Sequence, residues 1–299
     1  MRVFVTGASG WIGSAVTAEL IASGHQVVGL ARSDASAAKV AALGADVQRG
    51  DITDLDSLRA GAEGVDGIIH TAFIHDFTAH EDAAAVDAAA VHLFGDLLEG
   101  TGKPLVIASG ILGMKPGGVV TEADQPDPAE SWSPRRQTEA DLIGFAERGV
   151  RTTAVRLSPT VHGEGDHGFM AFLVSQDREH GSSGYVGDGA NRWPAVHRLD
   201  AAHLFVLSLL NAPAGTIVHG VAEEGVPLRE VAETIGHGLD LPVVSVAPED
   251  AVDRFSWLGR FLGVDSPASN TATRELLGWE PTHPTLLEDL EAGYYFRTA

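Results

Sequence analysis

The chain has 299 residues, 44% of them hydrophobic, a formal net charge of -21 and no cysteine. That charge repels phosphate backbones and anionic lipids, which argues against nucleic acid and membranes as partners, and the missing thiols exclude disulfides, thiolate catalysis and zinc–sulfur sites. No apolar run reaches the length of a membrane span and the first strand begins at residue 2 or 3, so the expectation is a cytoplasmic protein without a leader.

Val3, Phe4 and Val5 form a short β-prone run of the kind buried on both faces of a sheet. Three glycines follow at three-residue spacing, Gly7, Gly10 and Gly13, and from Ile12 to Ala22 the apolar residues recur every three or four positions, which predicts a helix. A glycine triplet alone is weak in a chain with 35 glycines. Set between a strand and a helix, it predicts a dinucleotide site. Gly7 makes the tight turn, Gly10 admits a diphosphate to the backbone, and Gly13 lets the helix pack on the strand. Thr6, Ser9, Trp11 and Ile12 complete the cofactor-binding stretch.

Strand and helix then alternate: Gln26 to Ala31 a strand, Ala35 to Leu43 a helix, Val47 in a short strand, Asp56 to Ala62 a helix, and Gly67 to His70 a strand. Ala83 to Glu99 is a long helix and Leu105 to Ala108 a strand ending at Ser109. The stretch from Pro116 to Pro134 is loop, a helix runs from Ser133 to about Arg148, and Thr153 to Leu157 is a strand. This alternation predicts an α/β fold with a Rossmann-type, doubly wound parallel sheet, whose ligands sit at the carboxyl ends of the strands. After Leu157 the pattern weakens. His162 to Asp166 and Gly181 to Asn191 read as loops over a cleft, Asp200 to Leu210 as a helix and Ile217 to Val221 as a returning strand. Leu228 to Gly238 and Pro248 to Phe255 read as helices of a smaller lobe. The expected division is a dinucleotide-binding domain over 1–157, with 196–221 returning to it, and a substrate-binding lobe from 158–195 and 222–299.

Where an NAD-binding sheet places an acidic residue after its second strand, this chain has Ala31-Arg32-Ser33. A guanidinium and a hydroxyl suit a 2′-phosphate, so NADP(H) is expected, with Arg32 and Ser33 as contacts and nearby Asp34 as the competing group for a ribose hydroxyl.

These residues resemble the extended short-chain dehydrogenase/reductase family, the NAD-dependent epimerase/dehydratase type, over nearly the whole chain. Thr6-Gly7-Ala8-Ser9-Gly10-Trp11-Ile12-Gly13 matches its glycine motif; Gly50-Asp51-Ile52-Thr53-Asp54 is similar to its adenine-holding segment, with Asp51 and Ile52 in contact positions. His70-Thr71-Ala72-Phe73 resembles the segment beside the nicotinamide ribose. Arg156 to Gly163, Val196 to Asp200 and Leu276 to Pro281 resemble later signatures, with His162 where the family has tyrosine. The resemblance implies binding of a nicotinamide dinucleotide, hydride chemistry on a small molecule, and dimers through two long helices, for which Ala83 to Glu99 offers a face.

The family's catalytic Tyr-x-x-x-Lys pair has no counterpart. No lysine follows residue 115 and no tyrosine precedes 185. Counting back from Glu139 puts Ser131 at the tyrosine position and Arg135 at the lysine position, while Ser109 matches the family's serine. Hydride transfer needs only the cofactor and a proton source. Arg135 and Arg136 are candidates for ribose or phosphate contacts, and neither gives up a proton near neutral pH. Ser109 is a candidate oxygen anchor, Tyr185 a candidate phenol donor, and His162, His167 and His197 candidate acids. Trp193, Phe73 and Phe169 are candidates for an apolar substrate wall. None of the 13 histidines forms a His-Glu-x-x-His pair, and no metal is expected. The expected activity is an NADP(H)-dependent reductase or dehydrogenase acting on a small carbonyl compound. The alternatives are a nucleotide-sugar epimerase or dehydratase and a non-enzymatic NADP(H) sensor.

Overall fold

A computed structural model describes residues 1–74, 80–125, 133 and 135–297. The elements open with β1 (Arg2–Thr6), α1 (Trp11–Ala22), β2 (Gln26–Ala31), α2 (Asp34–Ala42), β3 (Asp46–Arg49), α3 (Leu55–Ala62), β4 (Gly67–His70), α4 (His80–Leu98) and β5 (Pro104–Gly110). They continue with α5 (Arg135–Gly144), β6 (Arg151–Leu157), β7 (Thr160–His162), α6 (Phe169–His180), β8 (Ser183–Val186), β9 (Arg192–His197), α7 (Arg198–Asn211), β10 (Thr216–Gly220) and β11 (Glu223–Pro227). The chain ends with α8 (Leu228–Leu239), β12 (Val243–Val246), α9 (Ala251–Phe255), α10 (Gly259–Leu262), α11 (Thr271–Leu277) and α12 (Leu286–Glu291).

Seven strands pair in the order β10-β6-β5-β4-β1-β2-β3, every pair parallel. This is the doubly wound, Rossmann-type α/β sheet expected from the alternation of elements. Period-two projection explains how it is covered on both faces. Val3 and Val5 of β1 face a core shared with Val16 and Leu20 of α1 and Phe205 of α7. Phe4, between them, faces the opposite core with Leu58 of α3, Phe94 of α4 and Leu142 of α5. A third core, with Met170, Val231, Phe255 and Leu290, lies outside the sheet and is built from α6, α8, α9 and α12.

Helix starts follow local chemistry. Ser33 caps α2, accepting from Ser36 N–H while the Ser36 side chain accepts from Ser33 N–H, and Asp54 caps α3 by accepting from Asp56 and Ser57. Gly149, in the left-handed region, closes the turn after α5 and lets the chain re-enter the sheet as β6.

One expectation about this half of the chain is corrected. The stretch 181–191 is not a loop over the cleft. Ser183 to Val186 forms β8, paired in parallel with β12 along all four residues. The glycines that suggested a loop are the turn after it: Gly187 and Gly189 both have positive φ. No helix among the described residues is long and apolar enough to cross a membrane.

Candidate active site

The turn after β1 is a backbone-lined cradle. Gly7 has φ +71°, and its carbonyl oxygen lies so close under α1 that a Cβ on Gly13 would stand 2.2 Å from it. Gly10, at the N-cap, leaves the first-turn N–H groups of α1 without a side-chain acceptor. Bare N–H donors at a helix start are the chemistry that binds a diphosphate, so the cradle fits a dinucleotide. Ser9 is partly exposed beside it, while Ile12 packs against the sheet core. The Thr6 side chain points inward: it is fully buried, accepts from Ala72 N–H and hydrogen-bonds His70 Nδ1 at 2.7 Å. Thr6 therefore shapes the turn from beneath.

At the far end of the sheet, Arg32 is exposed after β2, and the Ser33 hydroxyl is occupied with the α2 cap. Asp34 pairs with Arg49 at 3.0 Å, both at the surface. Asp51 accepts from Thr53 N–H and Oγ at 3.0 and 2.9 Å; the Thr53 N–H first, and Arg32 among the lesser causes, hold its carboxyl below the ordinary value. Ile52 packs against the neighbouring core.

Beyond the carboxyl ends of the strands lies a cavity of about 1110 Å³. Trp11, Phe73, Ser109, Arg135 and Arg136 line it from the sheet side, and Phe169, Met170, Trp257, Arg260 and Phe261 from the other. Trp11 is fixed in this wall: its Nε1–H donates to the Val161 carbonyl at 2.9 Å, and the Arg198 guanidinium lies 4.3 Å from its ring centre. Ala72 precedes Phe73 at the rim.

The corner below Ser109 is ionic and buried. Ser109 donates from Oγ to Glu139 Oε2 at 2.5 Å. Arg136 donates to the same oxygen at 3.0 Å and to the Gly110 carbonyl at 2.5 Å. Arg156 donates from Nε to Glu139 Oε1 at 2.7 Å, with Nη2 also 2.6 Å from that oxygen but out of line for a hydrogen bond. Glu139 and Arg156 are fully buried and Arg136 is 5% exposed. Burial lowers the Arg136 pKa, with Glu139 opposing; a guanidinium so placed stays charged.

Arg135, at the position of the family's lysine, lies with its guanidinium 4.1 Å from the Phe73 ring centre and donates to the Ala108 carbonyl at 2.6 Å. Its Nε stands 3.4 Å from Asp87, which is also 3.1 Å from His70 Nε2. Burial works against an ionised Asp87, but Arg135 and His70 outweigh it and hold the carboxyl below its ordinary value. A chain Thr6–His70–Asp87–Arg135 thus ties the glycine turn to the start of α5. Ser131 lies outside the described residues.

The structure separates the remaining candidates from this cavity. Tyr185 is on β8, paired with β12, with the Arg229 guanidinium 5.5 Å from its ring centre, and is not part of the lining. His162 is fully buried behind the wall, with Nδ1 2.5 Å from Asp289. His197 caps α7 by accepting from Leu199 N–H, and burial first lowers its pKa. Of the proposed aromatic wall, Phe73 and Phe169 line the cavity, while Trp193 is buried behind Phe169 at 6.0 Å and donates to the Val264 carbonyl. His167 packs edge-on to Trp11 from outside. His197, Asp200 and His283 bring ligand-type atoms within 4.8 Å of one another. However, the two imidazoles stack in near-parallel planes, and Asp200 already accepts from Thr282 N–H, His283 N–H and the His283 ring. That group fastens the C-terminal segment to α7.

Sequence reading missed the partners behind the wall. Ser109 and Arg156 are neighbours in the β5–β6 register, and Glu139 arrives above them from α5. The Arg136–Glu139 spacing of three was a visible helical pair; the register was not visible.

An uncharacterised protein of Schizosaccharomyces pombe is 47% identical to this chain over 300 residues, covering 99% of this chain and 100% of that protein. One of Saccharomyces cerevisiae is 44% identical over 296 residues, covering 98% and 99%. The structure is similar to that of a dTDP-glucose 4,6-dehydratase from Streptomyces venezuelae with NAD bound, at TM-score 0.79 and 22% identity, covering 99% of this chain and 97% of the other. At that identity the likeness shows the shared fold. The model of the NAD dependent epimerase/dehydratase family matches residues 3–219, and with the glycine cradle, the parallel sheet and the cavity at its carboxyl edge in place, the chain belongs to that family.

Proposed function

We propose that this protein is an NADP(H)-dependent oxidoreductase that moves a hydride to or from the carbonyl carbon of a small molecule. The family is one of NAD(P)-dependent oxidoreductases and epimerase/dehydratases. The observation that carries the finer reading is continuity: Trp11, the first residue of the helix that would hold the diphosphate, is also a wall of the cavity that contains Ser109 and Arg136. A cofactor with its diphosphate on Gly7, Ser9, Gly10 and Gly13 would have Asp51 and Ile52 for its adenine. Ala72, Phe73 and Arg135 would stand toward its nicotinamide half. We assign 1–157 with 196–221 to cofactor binding, and 158–195 with 222–299 to the substrate, in keeping with the separate core of the smaller lobe.

The preference for NADP(H) rests on the edge of β2. The carboxylate nearest Arg32 in sequence, Asp34, pairs with Arg49, and Arg32 is exposed on the same side as Asp51, where its guanidinium would meet a 2′-phosphate. Since the Ser33 hydroxyl is engaged as a cap, its contact would come through the exposed end of α2.

A bound nicotinamide supplies and accepts the hydride. Arg136 has donors beyond its bonds to Glu139 and Gly110, and orients the substrate oxygen electrostatically without releasing a proton. Ser109 Oγ, fixed by its bond to Glu139 Oε2, would anchor the substrate oxygen, and the proton that balances the hydride would come from or go to solvent entering the cavity.

Calorimetric titration with NADPH and NADH, followed by NADPH oxidation with a panel of aldehydes and ketones, tests the proposal. NADPH should bind at least about tenfold tighter, a difference of ~1.4 kcal/mol, and Arg32→Ala should erase it. NADH binding tighter in the unaltered protein overturns the cofactor assignment. Cofactor binding with silence across the panel, alongside turnover of nucleotide sugars, overturns the reaction assignment.

A further inference from the structure

The protein carries a formal net charge of -21, yet among the described residues three arginines and one carboxylate stand in the wall of a single cavity. Arg135 and Arg136 are held from behind by Asp87 and Glu139. Arg260 comes from the opposite side, exposed on the short helix α10, and among the described residues no acceptor is set against its guanidinium. Asp166, the one carboxylate of the wall among the described residues, does not answer it. Its oxygens accept from Gly168 N–H at 2.6 Å and from the Tyr295 hydroxyl at 2.9 Å, and burial pushes its pKa up. A cation with no acceptor among the described residues, at the edge of a cavity in an acidic protein, sets up a local positive field that concentrates anions there.

Between Arg260 and Ser109 the surface is apolar. Phe169 and Trp257 meet edge-to-face at 5.3 Å, and Met170 and Phe261 continue the same side. Such a wall has few donors for the base, ribose and paired phosphates of a nucleotide sugar. It suits a flat hydrocarbon body, and one planar guanidinium suits one planar carboxylate.

We propose that the substrate is a carbonyl compound with an aromatic or extended apolar body and a single carboxylate, the carboxylate held by Arg260 and the carbonyl placed at Ser109 and Arg136. This rests on the reading of the cavity as the site of hydride transfer. It makes Arg260 the residue that selects acids over neutral compounds of the same shape, from a lobe outside the parallel sheet.

The test uses the full-length protein saturated with NADP⁺ and four probes, 4-formylbenzoate and 4-formylcinnamate and their methyl esters. Calorimetry on the NADP⁺-saturated protein gives affinities, and NADPH oxidation in a separate assay, with NADPH in place of NADP⁺, gives kcat/KM. The acids should exceed their esters by about tenfold in affinity, ~1.4 kcal/mol, with the advantage shrinking as salt is raised. In Arg260→Gln the acid-to-ester ratio should fall toward one. Equal binding of acids and esters, or a ratio that survives Arg260→Gln, overturns the inference. Esters reduced while acids neither bind nor turn over overturn the substrate class and leave the reductase standing. Acids bound through Arg260 with no NADPH consumed by any probe leave the anion site standing and count against the reductase.

Discussion

The turn after β1 and the corner beyond β5 are built in opposite ways. The turn after β1 is made of backbone: Gly7, Gly10 and Gly13 shape it, and no side chain caps α1. The corner beyond β5 is made of side-chain charge, with Glu139 between Arg136 and Arg156 and all three buried. The first tolerates almost no added atom and the second almost no lost charge. A backbone site reads the shape and charge of a diphosphate, whereas a buried ionic site holds one hydroxyl, Ser109, in a fixed pose.

The largest effect should come from breaking the second site. Glu139→Gln leaves Arg136 and Arg156 buried without a counter-charge, which should cost about 3–5 kcal/mol of stability. Denaturant titration reads this directly, and a loss below 1 kcal/mol would mean that water already reaches the arginines. Gly10→Ala probes the first site more gently. Its Cβ would meet the Gly7 carbonyl at 3.1 Å, against 2.2 Å for Gly13→Ala, so the helix keeps its place while the approach of a diphosphate is obstructed. NADPH affinity should fall about 100-fold, ~2.7 kcal/mol, with the melting temperature of Gly10→Ala well above that of Gly13→Ala. Undiminished NADPH binding in Gly10→Ala would place the diphosphate elsewhere.

The same contrast explains what the sequence made legible. The glycine turn and the alternation of strand and helix through β6 follow from local spacing and period, and they appear where the residues predict them. Glu139 and Arg156 meet only because β5 and β6 are in register and α5 crosses above them, a fact carried by no short stretch. Tyr185 and Trp193 mislead for a related reason. Glycines around 184–189 suggested a loop, but the pairing of β8 with β12 and the Val264 carbonyl offered to Trp193 come from residues 60 and 71 positions away. His162 was legible as a motif position and not as a buried partner of Asp289, 127 residues distant.

Acid should loosen the shared framework before it touches either site. His219 on β10 is fully buried beside the Arg156 register position, and burial, outweighing the Ser269 carbonyl that accepts from its Nδ1, lowers its pKa below the usual 6.5. His197 is lowered for the same first cause. As pH falls below about 6.5 the unfolded chain takes up protons that the folded chain refuses, so stability must drop until the depressed folded values are reached. Melting temperatures at pH 7.5, 6.5 and 5.5 should decline in that order, and His219→Asn should flatten the decline. A rise in melting temperature over that interval would mean that the imidazoles are better satisfied as cations than their burial implies.

The smallest effect tests the separation of β8 from the Ser109 corner. Tyr185 lies under Arg229 on β8, outside the cavity wall, and Tyr185→Phe keeps the ring that packs there. Stability should move by less than about 0.5 kcal/mol, and kcat and KM for any aldehyde that is turned over should each stay within about twofold. A tenfold fall in kcat at constant KM would mean that the phenol reaches the reacting oxygen. That would require β8 to leave β12 during turnover, with the proton passing through the phenol. Ser109→Ala should give the opposite pattern, because a hydroxyl that anchors the reacting oxygen beside Glu139 should be missed in kcat where the Tyr185 phenol is not.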